Sequence, residues 1–158
     1  MSKVLVFSDA HAHNFSQFDT DGSRLLNCER VIADMFKSAA YHECRTIAFC
    51  GDLTDKVNSI PIKVALMLVN IFKAAFTKYP DIDVVAISGN HDLGERSYLH
   101  NSHNLASTIN LLHDIFPNRF VCIDRDYYTL NEVRFIGIPY LEHKEHFSKA
   151  LDEAVGMV

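Results

Sequence analysis

Short apolar runs alternate with longer stretches of helical spacing along most of this chain. Val4–Phe7 is a β-branched and aromatic run that stops at Ser8-Asp9, and it reads as a buried strand. Residues 24–42 carry Leu25, Cys28, Ile32, Met35, Phe36 and Ala39 at helical intervals. Residues 46–50 form a second strand, stopped by Gly51-Asp52. A long apolar helix is predicted over 62–79, with Ala65, Leu68, Val69, Phe72 and Phe76 on one stripe. Pro61 suits its first turn and Pro80 its end. Residues 83–87 are a third strand, stopped by Ser88-Gly89-Asn90. A βαβαβ order of this kind implies a parallel sheet with helices packed against its faces.

The pattern then weakens. A helix is predicted over about 104–116, with Leu105, Ile109, Leu112 and Phe116 inward and Pro117 as its stop. Three short strands follow, at 120–123, Tyr127–Leu130 and 133–137. Asn131-Glu132 between the last two suits a tight hairpin, and Asp124-Arg125-Asp126 a solvated turn. A last helix spans about 144–154. No internal repeat or linker-like stretch interrupts this order, so the 158 residues are expected to form a single domain, residues 1–158.

Composition narrows the class. At 48% apolar residues the chain is no disordered polyelectrolyte, and six Gly and four Pro exclude a low-complexity or collagen-like sequence. A net charge of -5 leaves no basic excess for phosphate neutralisation, so nucleic-acid contacts would fall to a local patch or a partner. Bound cations would offset clustered acids, so a phosphate substrate stays open. Cys28, Cys44, Cys50 and Cys122 are far apart with no CxxC, and they read as buried reduced thiols of a cytoplasmic protein. The uncharged stretch 64–72 is far below the ~20 residues of a membrane helix.

The chemistry lies at the strand ends. Each of the first three strands runs into a polar cluster: Ser8-Asp9-Ala10-His11, Gly51-Asp52-Leu53-Thr54-Asp55 and Gly89-Asn90-His91-Asp92. In a parallel sheet those ends share one edge, where ligands bind. Asp9, His11, Asp52, Asn90 and His91 should therefore converge. Asp and His together accept Mn, Fe or Zn, Asn adds a neutral oxygen, and a carboxylate such as Asp52 can bridge two cations. His91 is placed to hydrogen-bond a phosphate oxygen or protonate a leaving oxygen. The plainer alternative makes Asp9 and Asp52 turn or cap residues and Gly89-Asn90-His91-Asp92 a simple turn.

The three clusters, in this order and at these strand ends, resemble the first three motifs of the calcineurin-like metallophosphoesterases. The resemblance implies the N-terminal half of a four-layered αββα sandwich: an α/β fold with a mostly parallel sheet flanked by helices. It implies that Asp9 and His11 hold a first metal, that Asp52 bridges two, and that Asn90 binds the second. His91 would be the catalytic histidine, and Asp55 and Asp92 would orient the ligands. Within that superfamily, Gly89-Asn90-His91-Asp92 followed by Glu95-Arg96-Ser97-Tyr98, and the strand Arg134-Phe135-Ile136-Gly137-Ile138-Pro139-Tyr140 before a helix, are similar to SbcD-type DNA-repair exonucleases and their phage relatives. That likeness implies Mn as the cation, DNA as the substrate and an SbcC-like ATPase, or a missing C-terminal half, as partner. A homo-oligomer stays open, as do a small-ester phosphatase or cyclic phosphodiesterase and a non-catalytic binding module.

The sequence departs from the family pattern in one respect. The family adds a later His and a Gly-His-x-His element, and no Gly-His-x-His occurs here. On this resemblance the first metal would have the candidate ligands Asp9, His11 and Asp52, whereas the second would have only Asp52 and Asn90 and would be incomplete. His13 can touch substrate or metal, Arg96 can touch substrate, and His100 and His103 can line a groove. His143 and His146 share a helix face, which is either a ligand pair or a solvated surface. His42 and His113 read as helix-end residues.

Overall fold

The computed structural model describes residues 2–14, 23–55, 60–93, 107–124, 126–141 and 143–156. The elements run β1 (Val4–Phe7), α1 (Ser23–Tyr41), β2 (Thr46–Phe49), α2 (Ile62–Lys78), β3 (Asp83–Ala86), α3 (Thr108–Ile115), β4 (Phe120–Cys122), β5 (Tyr127–Leu130), β6 (Val133–Ile136) and α4 (Lys144–Gly156). All ten follow the apolar spacing, and most ends move by one or two residues. Pro61 caps α2 from just outside rather than opening its first turn. Positions 104–106 of the third predicted helix lie outside the described residues.

Strands β1 to β4 form one parallel sheet in the order β1-β2-β3-β4. The register pairs Val4 with Thr46, Thr46 with Asp83 and Val84 with Phe120. Parallel crossovers are right-handed, so an order that always steps the same way sends every connecting helix to the same face. Helices α1, α2 and α3 accordingly share one core with that face: Ile32, Phe36, Leu68, Phe72, Ile109 and Leu112 meet Ile47, Phe49, Val84 and Phe120. Phe36 lies edge-on to both Phe72 and Phe76, at 5.8 and 5.5 Å between centroids.

The other face is served by a separate, smaller apolar cluster. There the antiparallel β5–β6 hairpin packs Leu130 and Phe135 against Val85, Val121 and Ile123. Its turn, Asn131-Glu132, has positive φ at both central residues, 50° and 66°. That is the hand that matches strand twist, and it settles the turn as the I′ kind. The cover reaches β3 and β4 but not the middle of β1, where Val6 is 66% exposed. The expectation of a buried first strand therefore fails: among the described residues β1 is an edge strand of the sheet, half-buried with Val6 exposed. The cysteine expectation fails in part as well. All four are free thiols, but only Cys44 is buried, and Cys50 is exposed just past the end of β2.

Candidate metal centre

The three polar clusters meet at the C-terminal edge of the sheet. Beyond β1 and β2 the chains stay in register as loops: Asp9 N–H donates to the Gly51 carbonyl at 3.1 Å, His11 N–H to Asp52 at 2.9 Å and Ala12 N–H to Leu53 at 2.8 Å. This ladder brings Asp9 and His11 beside Asp52. The approach is close because two glycines abut. A Cβ on Gly51 would stand 2.6 Å from Gly89 N, and one on Gly89 would stand 2.1 Å from Asp52 Oδ1. Asp9, His11 and Asp52 themselves adopt positive φ, at 59°, 43° and 57°. Non-glycine residues rarely occupy that region, and such strain gathers at functional sites.

His11 is the hub. Its Nε2 lies 3.5 Å from Asp9 Oδ1 and 3.9 Å from Asp52 Oδ2. Its Nδ1 is buried without a hydrogen bond and lies 3.5 Å from Asp55 Oδ1. A proton on Nδ1 suits Asp55 and leaves the Nε2 lone pair facing two carboxylates. Lone pairs that meet without a donor repel unless a cation or a proton stands between them. His11, Asp52 and His91 each offer a ligand atom, all within 4.8 Å of one another. The donor set of nitrogen and carboxylate oxygen fits a divalent transition cation.

His91 is pinned in a stated tautomer. Its Nδ1 lies 2.8 Å from the Asp55 carbonyl, which can only accept, so Nδ1 carries the hydrogen. Its Nε2 is then the atom that can ligate, or take and release a proton. The His91 backbone N–H donates to Asp52 Oδ1 at 3.0 Å, and the His91 ring sits edge-on to His11 at 4.8 Å.

Asp92 is a brace. Its carboxylate accepts N–H bonds from Asp52 at 2.7 Å, Gly89 at 3.0 Å and Thr54 at 3.0 Å, and a bond from the Thr54 hydroxyl at 3.3 Å. It thereby ties the loop after β2 to the loop after β3. Burial pushes its carboxyl above the usual carboxylate range, against the pull of those backbone N–H groups, and the Asp52 charge adds to the rise.

The residues expected from sequence are thus distributed as follows. Asp9, His11, Asp52, Asp55, His91 and Asp92 come together. Asp9 is the outermost, with its side chain 66% exposed and the Ser8 hydroxyl on Oδ2. Asn90 occupies the same turn as His91 and is exposed. His13 is buried below the loop after β1. Arg96, His100 and His103 lie outside the described residues. His143 and His146 stack edge-on at 5.4 Å at the start of α4, exposed.

One residue of this edge escapes the sequence reading. Asp124 is no solvated turn residue, because its Oδ1 accepts the Ser88 N–H at 2.7 Å. Its place emerges from the sheet: β4 pairs parallel to β3, and Asp124 follows it as the other clusters follow their strands.

The family model described as calcineurin-like phosphoesterase matches residues 2–154. The chain belongs to that family. The match runs through all three strand-end clusters and on through the hairpin into α4, so the hydrolase assignment rests on the whole of this architecture. No curated protein matches the chain. The phosphoesterase has no helix, among the described residues, long and apolar enough to cross a membrane.

Proposed function

We propose that this phosphoesterase hydrolyses phosphodiester bonds with Mn as its cation, and that DNA is the substrate. The observation that carries the hydrolytic reading is the meeting of His11 Nε2 with Asp9 and Asp52 oxygens at 3.5 and 3.9 Å. A bound divalent cation supplies positive charge to the phosphate oxygens and lowers the pKa of water. The chain's own residues do the rest. Asp9, His11 and Asp52 would hold the first cation, and Asp52 and Asn90 offer oxygens to a second. His91, its Nδ1–H engaged by the Asp55 carbonyl, leaves Nε2 as the atom that, when protonated, would give a proton to the leaving oxygen. Asp92 keeps the two loops at a fixed spacing.

Two features support DNA over a small ester. The stretch Gly137-Ile138-Pro139-Tyr140 is similar to SbcD-type exonucleases, and Tyr140 N–H bonds the Ser88 carbonyl at 3.0 Å, two residues before Asn90. The Tyr140 side chain is exposed, as a stacking platform for an unpaired base requires. With a net charge of -5, further phosphate contacts fall to a partner such as an SbcC-like ATPase. The test compares single- and double-stranded DNA with bis-p-nitrophenyl phosphate and p-nitrophenyl phosphate, each with Mn. Turnover of DNA is the expected result. Turnover of a small ester with DNA left intact would remove the nuclease reading and keep the hydrolase.

A further inference from the structure

The sheet ladder breaks where the loop of His91 begins. Val84 N–H bonds the Arg119 carbonyl, so two steps of the same register would carry Ser88 N–H to the Ile123 carbonyl. That pairing is replaced. The Ile123 carbonyl instead accepts Asp126 N–H at 3.0 Å and abuts Gly137, where a Cβ would stand 1.9 Å away. The Ser88 N–H goes to the Asp124 carboxylate at 2.7 Å, a charge-assisted bond stronger than the one it replaces.

Ser88 is fully buried, and its remaining polar groups are also engaged. Its hydroxyl bonds Ser107 Oγ at 3.2 Å, at the cap of α3, and its carbonyl accepts Tyr140 N–H at 3.0 Å. The residue that launches the Gly89-Asn90-His91-Asp92 turn is therefore held by three separate elements. Only one of those holds is a charged side chain.

We infer that Asp124 is a positioning residue for the metal centre: acting through the Ser88 N–H, it sets where the chain turns and hence where Asn90 and His91 stand. The inference rests on the reading of that turn as part of a metal-dependent site. Its bond to the Ser88 N–H, two residues before Asn90, is the contact through which it acts on the turn.

The test uses the full chain and two readouts. One is the His91 ring tautomer, followed by long-range proton–nitrogen NMR and assigned with His91→Gln; it needs no metal. The other is Mn affinity by calorimetry. Asp124→Ala is expected to blur the single Nδ1–H signature of His91 and to weaken Mn binding by about 10- to 100-fold. Asp124→Asn keeps an acceptor at the same place and is expected to restore both. If Asp124→Ala does not fold, Asp124→Glu, which moves the carboxylate by one methylene, carries the same comparison and should weaken Mn binding by about tenfold. A wild-type His91 signature in the folded Ala or Glu variant would overturn the inference, even with a lowered Tm. So would an Asn variant that behaves like Ala. Failure of the wild-type chain to bind Mn would sink the proposed function instead, and the tautomer comparison would still decide the role of Asp124.

Discussion

Helices α2 and α4 make opposite use of their apolar residues. Helix α2 buries Val64, Leu68, Phe72, Ala75 and Phe76. Helix α4 buries Ala154 and leaves Phe147, Leu151 and Val155 exposed, although these recur every four residues as a buried stripe would. The difference follows from the sheet. Helix α2 is one of three crossovers in a row that share the core on one face, whereas among the described residues no residue of α4 belongs to either buried cluster. The site hangs from the closed side. Its loops leave strands whose inner residues lie in the same core as α2, so their spacing inherits the rigidity of that core.

Four predictions test this contrast, the largest effect first. Phe72→Ala, in the closed core, should cost about 3–5 kcal/mol, whereas Phe147→Ala on α4, 46% exposed in the native chain, should stay within about 0.5 kcal/mol. Paired urea melts decide it, and equal losses would dissolve the distinction between the two regions. Next, Asp52→Asn should weaken Mn binding by more than about 100-fold, or about 2.7 kcal/mol, with the fold retained because Asn tolerates a φ of 57°. Calorimetry with Mn measures it, and unchanged affinity would remove Asp52 from the ligand set.

Gly89→Ala should then cost about 1–3 kcal/mol, since its Cβ would press on Asp52. Gly156→Ala in α4, with open space around it, should stay within about 0.5 kcal/mol. The difference in Tm between these two variants is the measurement. The smallest effect concerns Cys122. Burial, helped by the Asp124 charge, pushes its thiol up to about 12, while an unfolded thiol ionises near ~8.5. Above about pH 8.5 the unfolded chain binds fewer protons than the folded one, so stability falls as pH rises. Urea melts at pH 8 and pH 10 should show a smaller loss in Cys122→Ala than in the native chain.

Much of this was legible in the residues. The strands announce themselves as short β-branched runs cut off by Ser-Asp, Gly-Asp or Gly-Asn, and the same cut-offs hold the site. Spacing alone could not say on which face the helices lie, because that depends on strand order. Nor could it reveal that β1 is an edge, since Val4–Phe7 is as apolar as a central strand. Asp124 was hidden by its neighbours: Asp-Arg-Asp looks like any charged turn, and only the pairing of β4 with β3 brings it to Ser88. The positive φ at Asp9, His11 and Asp52 was equally silent, because Asp and His carry no mark of the backbone they adopt.

The unbroken strand order has a consequence for synthesis. Each strand of the parallel sheet pairs with the one made just before it, so a chain emerging from the ribosome can add them one at a time. The loops that carry His11, Asp52 and His91 are complete by residue 92, yet the bonds to Ser88 from Ser107, Asp124 and Tyr140 arrive only later. The residues of the candidate site are thus translated first, and the residues that lock the last of its turns follow.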